Sequence, residues 1–205
     1  DVWDYDYLLV AAGARTSYFG NRGWAEHAPG LKSIEDAIEI RRQALLAFER
    51  AAAARTETER RELLTFIVVG GGPTGVELAG AFAELGRRVL AEDYKISSED
   101  VRGILVEGSD RVLNGFDPEL SEHARKSLED LGVELRLGDF VEKIDENRLH
   151  VAGRSLRAGT IVWAAGVWGN SLAESIKGAE LDKQGRIIVN PDCSIGGYEH
   201  TFAVG

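Results

Sequence analysis

The sequence contains one cysteine, Cys193, and no methionine among its 205 residues. A single thiol excludes disulfide frameworks, paired redox cysteines and cysteine-based metal sites within the chain. It is also the pattern of a reducing compartment, and we expect Cys193 to be a small packed residue. No metal site is expected, because the histidines show no ligand spacing; they are His27, His123, His150 and His200.

Long apolar runs and an excess of positive charge are missing as well. No stretch approaches the ~20 apolar residues that cross a bilayer, and no signal peptide opens the chain. The net charge of -10 argues against a nucleic-acid partner. With 44% hydrophobic and 28% charged residues, the composition is that of a soluble globular protein rather than a disordered or fibrous one.

Strand and helix patterns alternate from residue 64 onward. Residues 64–69 form a continuous apolar, β-branched run, as expected for a strand buried on both faces, and residues 104–106 and 133–137 also read as strands. The intervening helices are marked by helical spacing after residue 73 and by Asp117-Pro118, an N-cap followed by proline at the first helical position. Parallel strands with right-handed crossovers are therefore predicted over this region.

Shorter strands follow, and they predict a small antiparallel meander at Phe140–Val141, Leu149–Val151 and Ser155–Arg157. Two apolar runs end in the same tripeptide, Ala-Ala-Gly: one starts at Tyr5 and the other at Thr160. Residues 186–189 and 201–204 are strand-like. The predicted fold class is α/β, a Rossmann-type βαβαβ parallel sheet with an antiparallel β-meander, plus strands of a second, partial domain.

An amphipathic helix is predicted between the first strand and this sheet. Its apolar residues recur at helical intervals from Ile34 to about Ala54. Ser33 and Asp36 have the spacing of a capping box. The charged stretch 55–62 is expected at or just beyond the end of this helix.

The most informative motif satisfies G-x-G-x-x-G and lies between a predicted buried strand and a predicted helix, the context that the motif requires. Its first glycine permits a tight turn, Gly72 lets the backbone approach a pyrophosphate, and Gly75 allows close packing of helix on strand. The amides of the new helix then face the phosphate charge. We predict a dinucleotide site here, the alternative being a glycine-rich turn without a ligand; the motif residues are Gly70, Gly71, Gly72, Pro73, Thr74 and Gly75.

Two acidic residues accompany the loop. Glu107 closes the next strand, where a carboxylate hydrogen-bonds the adenosine ribose and repels a 2′-phosphate, so NADH is favoured over NADPH. Arg111 lies nearby in the sequence and weakens that preference. The alternative interpretation is that Glu107 is an ordinary solvated acid at a strand end and binds no ribose. Glu77 is expected in the first turn of the helix, where it either complements the helix dipole or points toward the nicotinamide.

These residues resemble type II NADH dehydrogenases, which are single-subunit, FAD-containing, non-proton-pumping NADH:quinone oxidoreductases. The resemblance covers essentially the whole chain. Its most specific parts are Trp24–Lys32 and Trp163–Val167, because Gly70–Gly80 is shared with wider flavin disulfide-reductase-like enzymes. Tyr7–Gly13 also matches, although Ala11-Ala12-Gly13 replaces the commoner Ala-Thr-Gly.

The resemblance implies that an NADH-binding domain is inserted into an FAD-binding domain. Residues 1–32 and 186–205 would be remnants of the FAD domain, and residues 33–185 the NADH-binding Rossmann-type domain. Gly13 would lie at one dinucleotide-lining strand end and Ala165 with Gly166 at the other, and Glu77 would lie near the nicotinamide–flavin contact.

For the intact protein, the resemblance implies hydride transfer from NADH to FAD and then reduction of quinone, at the cytoplasmic face of a membrane. A homodimer is compatible with these residues, which do not decide the oligomeric state. The family's first FAD-binding glycine loop would lie before Asp1, so we expect this chain alone to bind NADH weakly, hold no FAD and not turn over. Two alternatives are kept: a ferredoxin, nitrite or coenzyme A-disulfide reductase of the same architecture, and a non-catalytic NAD-sensing module.

Overall fold

The computed structural model describes residues 2–205. It forms two compact units: one runs from Tyr18 to Gly166, and the other combines the chain up to Ser17 with Val167–Gly205. The division of the chain into FAD-domain and NADH-domain segments at 32/33 and 185/186 stays a prediction.

The strands and helices are numbered here in chain order. The strands are β1 (Leu8–Val10), β2 (Ala14–Thr16), β3 (Thr65–Val69), β4 (Arg102–Glu107), β5 (Val133–Leu137), β6 (Val141–Asp145), β7 (Arg148–Val151), β8 (Arg154–Arg157), β9 (Thr160–Trp163), β10 (Val167–Gly169) and β11 (Thr201–Ala203). The α-helices are α1 (Ile34–Ala52), α2 (Glu57–Leu63), α3 (Pro73–Leu85), α4 (Ala91–Asp93), α5 (Pro118–Asp130) and α6 (Leu172–Ser175).

A four-stranded parallel sheet is the centre of the larger unit. Its strand order is β5-β4-β3-β9, so β3 lies between β4 and β9. Every residue of β3 and of β9 is buried, as the continuous apolar runs predict for strands covered on both faces. The predicted Rossmann-type α/β fold is confirmed.

Different layers cover the two faces of this sheet. On one face, α3 and α5 pack against the sheet through Ala79, Ala83 and Leu128. On the other, the antiparallel strands β6-β7-β8 form the predicted meander, and Leu149 and Val151 bury their side chains against the sheet. Because the four strands are parallel, their carboxyl ends lie along one edge of the sheet, together with the loops that follow them.

Helix α1 begins as predicted, because the Ser33 hydroxyl accepts from the Asp36 N–H and the Asp36 carboxylate accepts from the Ser33 N–H. The charged stretch after it forms a separate helix, α2, which the sequence reading missed. Thr56 is its N-cap and accepts from the Glu59 N–H at 3.1 Å. Its first turn is acidic and its last turn basic, an arrangement that complements the helix dipole.

Helix α3 does not stop at Leu85 but passes through a π-helical turn, Gly86–Leu90, into α4. This extension accounts for the separation of 32 positions from the end of the glycine loop, Gly75, to Glu107. Arg87, in the π turn, donates to the carbonyl oxygens of Val101, Leu131 and Gly132. It thereby ties the end of α3 to the start of β4 and the end of α5.

The smaller unit has shorter strands: β1 pairs with β11 in parallel, and β10 pairs with β2 in antiparallel. The strand predicted from Tyr5 is reduced to the three residues of β1. The strand predicted over 186–189 is wrong, because this segment makes only isolated bridges at Ile187 and Val189. Two isolated bridges to different partners, Leu181 and Ile195, do not form a continuous ladder.

Candidate nucleotide-binding site

The glycine loop leaves the carboxyl end of β3 and presses against the end of β9. Gly70 has a φ of 113°, and its N–H donates to the Val106 carbonyl oxygen at 2.7 Å. A Cβ at Gly70 would lie 2.5 Å from the Ala165 nitrogen. Only glycine tolerates both this backbone conformation and this close approach.

The other two motif glycines differ from each other. A Cβ at Gly75 would overlap with the Gly70 carbonyl oxygen, whereas a Cβ at Gly72 would meet nothing within 4 Å. Gly72 is the N-cap of α3, with extended backbone and with Pro73 as the first helical residue. Thr74 follows, half-buried in the first turn. The fold requires Gly70 and Gly75, but the space above Gly72 is open.

Glu107 is held by two backbone amides. Its Oε2 accepts from the Gly71 N–H at 2.5 Å, and its Oε1 accepts from the Ser109 N–H at 2.8 Å. The carbonyl oxygen of Gly71 accepts from the Leu113 N–H at 2.7 Å. Leu113 has a φ of 50°, a conformation uncommon for leucine. The glycine loop and the loop after β4 are therefore locked together, with a carboxylate between them.

A cavity of about 480 Å³ opens at this edge. Two carboxylates line it, Glu107 and Asp139, and none of the described residues around it is a lysine or arginine. The other lining residues come from the loops and strand ends around them: Phe19, Asn21, Trp24, Val69, Gly70, Val106, Gly108, Ser109, Phe140, Val141, Trp163 and Ala165.

Aromatic rings pack beneath this cavity around Trp163, which is buried. The ring centroids of Tyr18 and Trp24 lie 5.6 and 5.3 Å from that of Trp163. The Tyr18 hydroxyl donates to the Ala28 carbonyl oxygen at 2.8 Å. Burial, together with the nearby charge of Asp36, raises the pKa of Tyr18 despite a backbone hydrogen bond that lowers it. Tyr18 does not line the cavity itself but supports it through its ring contact with Trp163.

Most of the sequence-predicted residues gather at this edge. The six motif residues and Glu107 lie together, and Ala165 lines the same cavity. Gly166 lies beneath the Phe19 ring, since a Cβ there would be 2.8 Å from its Cζ. Their contacts with a nucleotide stay a prediction.

Glu77 does not lie where it was expected. Helix α3 begins at Pro73, so Glu77 is its fifth residue, and the first turn contains no acidic residue. The expected first-turn position is wrong because the helix starts at the proline rather than later. Because Glu77 lies beyond the first turn, it does not complement the helix dipole as expected. Its side chain is exposed, and its role near a nicotinamide stays a prediction.

Arg111 is hydrogen-bonded within its own loop, which the sequence did not show. Its guanidinium donates to the carbonyl oxygens of Asn114 and Phe116 at 2.9 and 3.3 Å and to the Asn114 side chain at 3.3 Å. It stabilises its own loop, and it does not line the cavity.

Gly13 belongs to the smaller unit, where it has a φ of 67° and open space beside it. It lines a second cavity, of about 370 Å³, together with Asn170, Asp182 and Gly205. Its proposed contact with FAD stays a prediction.

Sequence reasoning missed Asp139 and Phe140. Both follow β5 at the carboxyl edge of the parallel sheet, where ligands of open α/β sheets bind. The order of strands in the sheet, which places β5 beside β4, was the missing information.

Residues 2–205, which the structure describes, lack two features. No group of three or more histidine, cysteine, aspartate or glutamate side chains among them could hold a metal ion. No helix in this part of the chain combines the length and the apolar character needed to span a membrane.

The chain resembles known proteins over nearly its whole length. A type II NADH:quinone oxidoreductase, Ndh, of Mycobacterium tuberculosis is 45% identical over 211 residues, covering 98% of this chain and 45% of that protein. A second mycobacterial protein of the same description, NdhA, is 42% identical over 214 residues, covering 100% of this chain and 46% of the relative. The chain thus spans about half the length of these curated relatives.

A solved structure shares the architecture. NDH2 from Plasmodium falciparum, in complex with NADH, superposes with a TM-score of 0.85 at 26% sequence identity, covering 98% of this chain and 43% of that one. The resemblance to type II NADH dehydrogenases is therefore confirmed by sequence and by structure. Residues 2–205 match the pyridine nucleotide-disulphide oxidoreductase family, and the chain belongs to this family.

Proposed function

We propose that this chain is the NADH-binding portion of a flavin-dependent NADH:quinone oxidoreductase. The observation that carries the proposal is the Glu107 carboxylate, fixed by two backbone amides beside a glycine loop that is open at Gly72. A carboxylate at the end of the second strand of a Rossmann-type sheet is placed to bind the ribose hydroxyls of a dinucleotide. The mycobacterial relatives are NADH:quinone oxidoreductases, which supports quinone as the electron acceptor.

The residues present fit a dinucleotide. Gly72 has extended backbone at the N-terminus of α3, and the free space beside it admits a pyrophosphate close to the main chain. The unpaired amides of the first helical turn and the helix dipole favour a negative charge at this point. Gly70 and Gly75 hold the loop in place, so the site is preorganised by the fold itself.

The chain's own residues would bind and orient the nucleotide. Glu107 would accept hydrogen bonds from the ribose, and Ala165 with Gly166 would line the path toward the nicotinamide end. When bound, the nicotinamide supplies a hydride to the flavin, which passes electrons on to quinone. The cofactors carry this chemistry, and the protein supplies placement and electrostatics.

We also propose that NADH is preferred over NADPH. The cavity presents two carboxylates, Glu107 and Asp139, and no lysine or arginine among its described lining residues. A 2′-phosphate brought to this edge would meet like charge, which is unfavourable. Arg111, the cation that follows Glu107 most closely in the chain, is engaged with carbonyl oxygens of its own loop.

Gly72→Ala tests the site. In the full chain we expect this variant to keep the unfolding free energy of the parent and to lose at least about tenfold in NADH affinity, because the methyl group fills space that only a ligand needs. Quenching of tryptophan fluorescence by NADH measures the affinity, and urea denaturation measures stability. Gly80→Ala in the same helix is the control, since a Cβ there would make only ordinary contacts, at 3.7 Å with Leu131 and 3.9 Å with Leu128.

Glu107→Gln tests the preference between nucleotides. Removing the charge is expected to lower NADH affinity and to raise NADPH affinity relative to NADH by at least about tenfold, since a hydrogen bond to a charged group contributes about 1.5–3 kcal/mol. Equal binding of NADH and NADPH by the parent would contradict the assignment of Glu107. Binding of neither nucleotide to the folded parent would contradict the proposed function for this chain.

Further proposals concern the whole protein. We propose Glu77 near the nicotinamide and Gly13 beside FAD. A location at the cytoplasmic face of a membrane is supported by the lipid-soluble quinone named for the relatives, and co-sedimentation with inverted membrane vesicles would test it. A homodimer is proposed as the assembly, and light scattering of the whole protein would decide it.

A further inference from the structure

Phe140 is a large aromatic residue in an unusual position. It follows β5 at the carboxyl edge of the parallel sheet, and 74% of its surface is exposed. It also lines the cavity at the glycine loop. An exposed aromatic residue is by itself ordinary, so its neighbours have to show what it does.

The Phe140 ring occupies space that the backbone leaves free at Gly108. A Cβ at Gly108 would lie 2.7 Å from the Phe140 Cε1 and 3.1 Å from its Cζ. The φ of Gly108 is not positive, so the local backbone does not require glycine. The close approach of the ring does, and Gly108 and Phe140 therefore form a matched pair.

This pair lies directly beside Glu107. The proposed ribose-binding carboxylate precedes Gly108 in the chain, and β4 and β5 are neighbours in the sheet. The adenine base is one glycosidic bond away from that ribose. A base attached there would reach the surface formed by Phe140 and Val141, which line the same cavity.

We infer that Phe140 binds the adenine base of the dinucleotide by aromatic stacking, with Gly108 leaving room for its ring. The inference rests on the proposed function and names the residue that recognises the adenosine half. Aromatic rings bind bases through their faces, and an exposed ring keeps a face available. A purely structural role would instead bury the ring, as it buries Phe48 and Phe66.

The test uses two ligands that contain adenosine, NADH and ADP-ribose, and one that lacks it, reduced nicotinamide mononucleotide. Phe140→Ala in the full chain is expected to weaken NADH and ADP-ribose about 5- to 150-fold, the usual range for one stacked base. Binding of the mononucleotide is expected to stay unchanged. Phe140→Trp should keep the affinity of the parent, because it keeps an aromatic face.

Phe116→Ala is the matched control. Phe116 is a phenylalanine of the neighbouring loop, 48% exposed, and it does not line the cavity. Its replacement should leave all three affinities unchanged. Circular dichroism and a thermal melt show that each variant is folded.

Three results would overturn the inference. If the parent binds NADH and Phe140→Ala binds it equally well, the stacking role is wrong while the proposed function stands. If Phe140→Ala weakens the mononucleotide as much as NADH, the residue supports the site as a whole rather than the base. If the folded parent binds neither NADH nor ADP-ribose, the proposed function fails, and this inference fails with it.

Discussion

Two strands of this protein end in the same tripeptide but lie in different surroundings. β1 leads to Ala11-Ala12-Gly13 in the smaller unit, and β9 leads to Ala164-Ala165-Gly166 in the larger one. Every residue of β9 is buried, whereas Leu9, in the middle of β1, is 60% exposed. Both strands are short, apolar and parallel to a neighbour.

The difference comes from what lies next to each strand. β9 pairs with β3, and its sheet is covered by helices on one face and by the meander on the other. β1 pairs with β11 over three residues. The glycine loop also presses on the end of β9, where Gly70 fits against the backbone of Ala164 and Ala165. A local sequence pattern therefore predicts that a strand forms, whereas the burial of that strand depends on neighbours that are distant in sequence.

The largest expected effect is on the free energy of unfolding, when one apolar side chain is truncated in each of the two strands. Ile161→Ala in β9 should lower the free energy of unfolding by about 2–5 kcal/mol, because it leaves a cavity in a closed core. Leu9→Ala in β1 should change it by less than about 0.5 kcal/mol, since the side chain is already solvated. Urea denaturation measures both, and equal losses would contradict the comparison.

Replacing one glycine in each region, Gly70 beside β9 and Gly13 after β1, should give a smaller difference in stability. Gly70→Ala should destabilise by about 1–3 kcal/mol from overpacking against the end of β9, in addition to about 1–2 kcal/mol for a left-handed backbone. Gly13→Ala has open space and should show the backbone contribution alone. Thermal melts of the two variants test this, and a Gly13→Ala that is as unstable as Gly70→Ala would refute it.

The smallest effect concerns charge and pH. Burial alone would raise the pKa of Glu134, but hydrogen bonds and charges from Arg102 and Arg136 together lower it. Its ion pairs tie β4 to β5, but the side chain is 38% exposed, so solvent screening limits the contribution to about 0.5–1 kcal/mol. Glu174, which pairs with Arg15 in the smaller unit and is 58% exposed, should contribute less.

The sign of the pH dependence follows from the lowered pKa. A carboxylate whose pKa is lower in the folded protein than in the unfolded chain stabilises the fold at pH values above its unfolded-state pKa. This stabilisation is lost as the pH falls through its folded-state pKa. Glu134→Gln should therefore be less stable than the parent at pH 7, and the difference should shrink below about pH 4.3. Parallel urea titrations at several pH values measure it; a difference independent of pH would show that the charge is not responsible.

Much of the larger unit could be predicted from local patterns. The buried runs of β3 and β9 and the N-caps of α1 and α5 appear where the sequence indicates them, since capping and strand burial depend on residues close in the chain. The glycine loop was recognised because its spacing and its context agree. Helix α2 was missed because a charged segment of seven residues has no apolar periodicity to identify it.

The sequence by itself determined the alternation of strands and helices along the chain, the glycine loop and the acid that follows it, because each is specified by residues a few positions apart. Only the tertiary structure decided that Arg111 is held within its own loop, that Gly71 binds both Glu107 and Leu113, and that Phe140 lies on Gly108. Those contacts join separate strand ends, and their geometry depends on the order of β5, β4, β3 and β9 in the sheet, which no local pattern encodes.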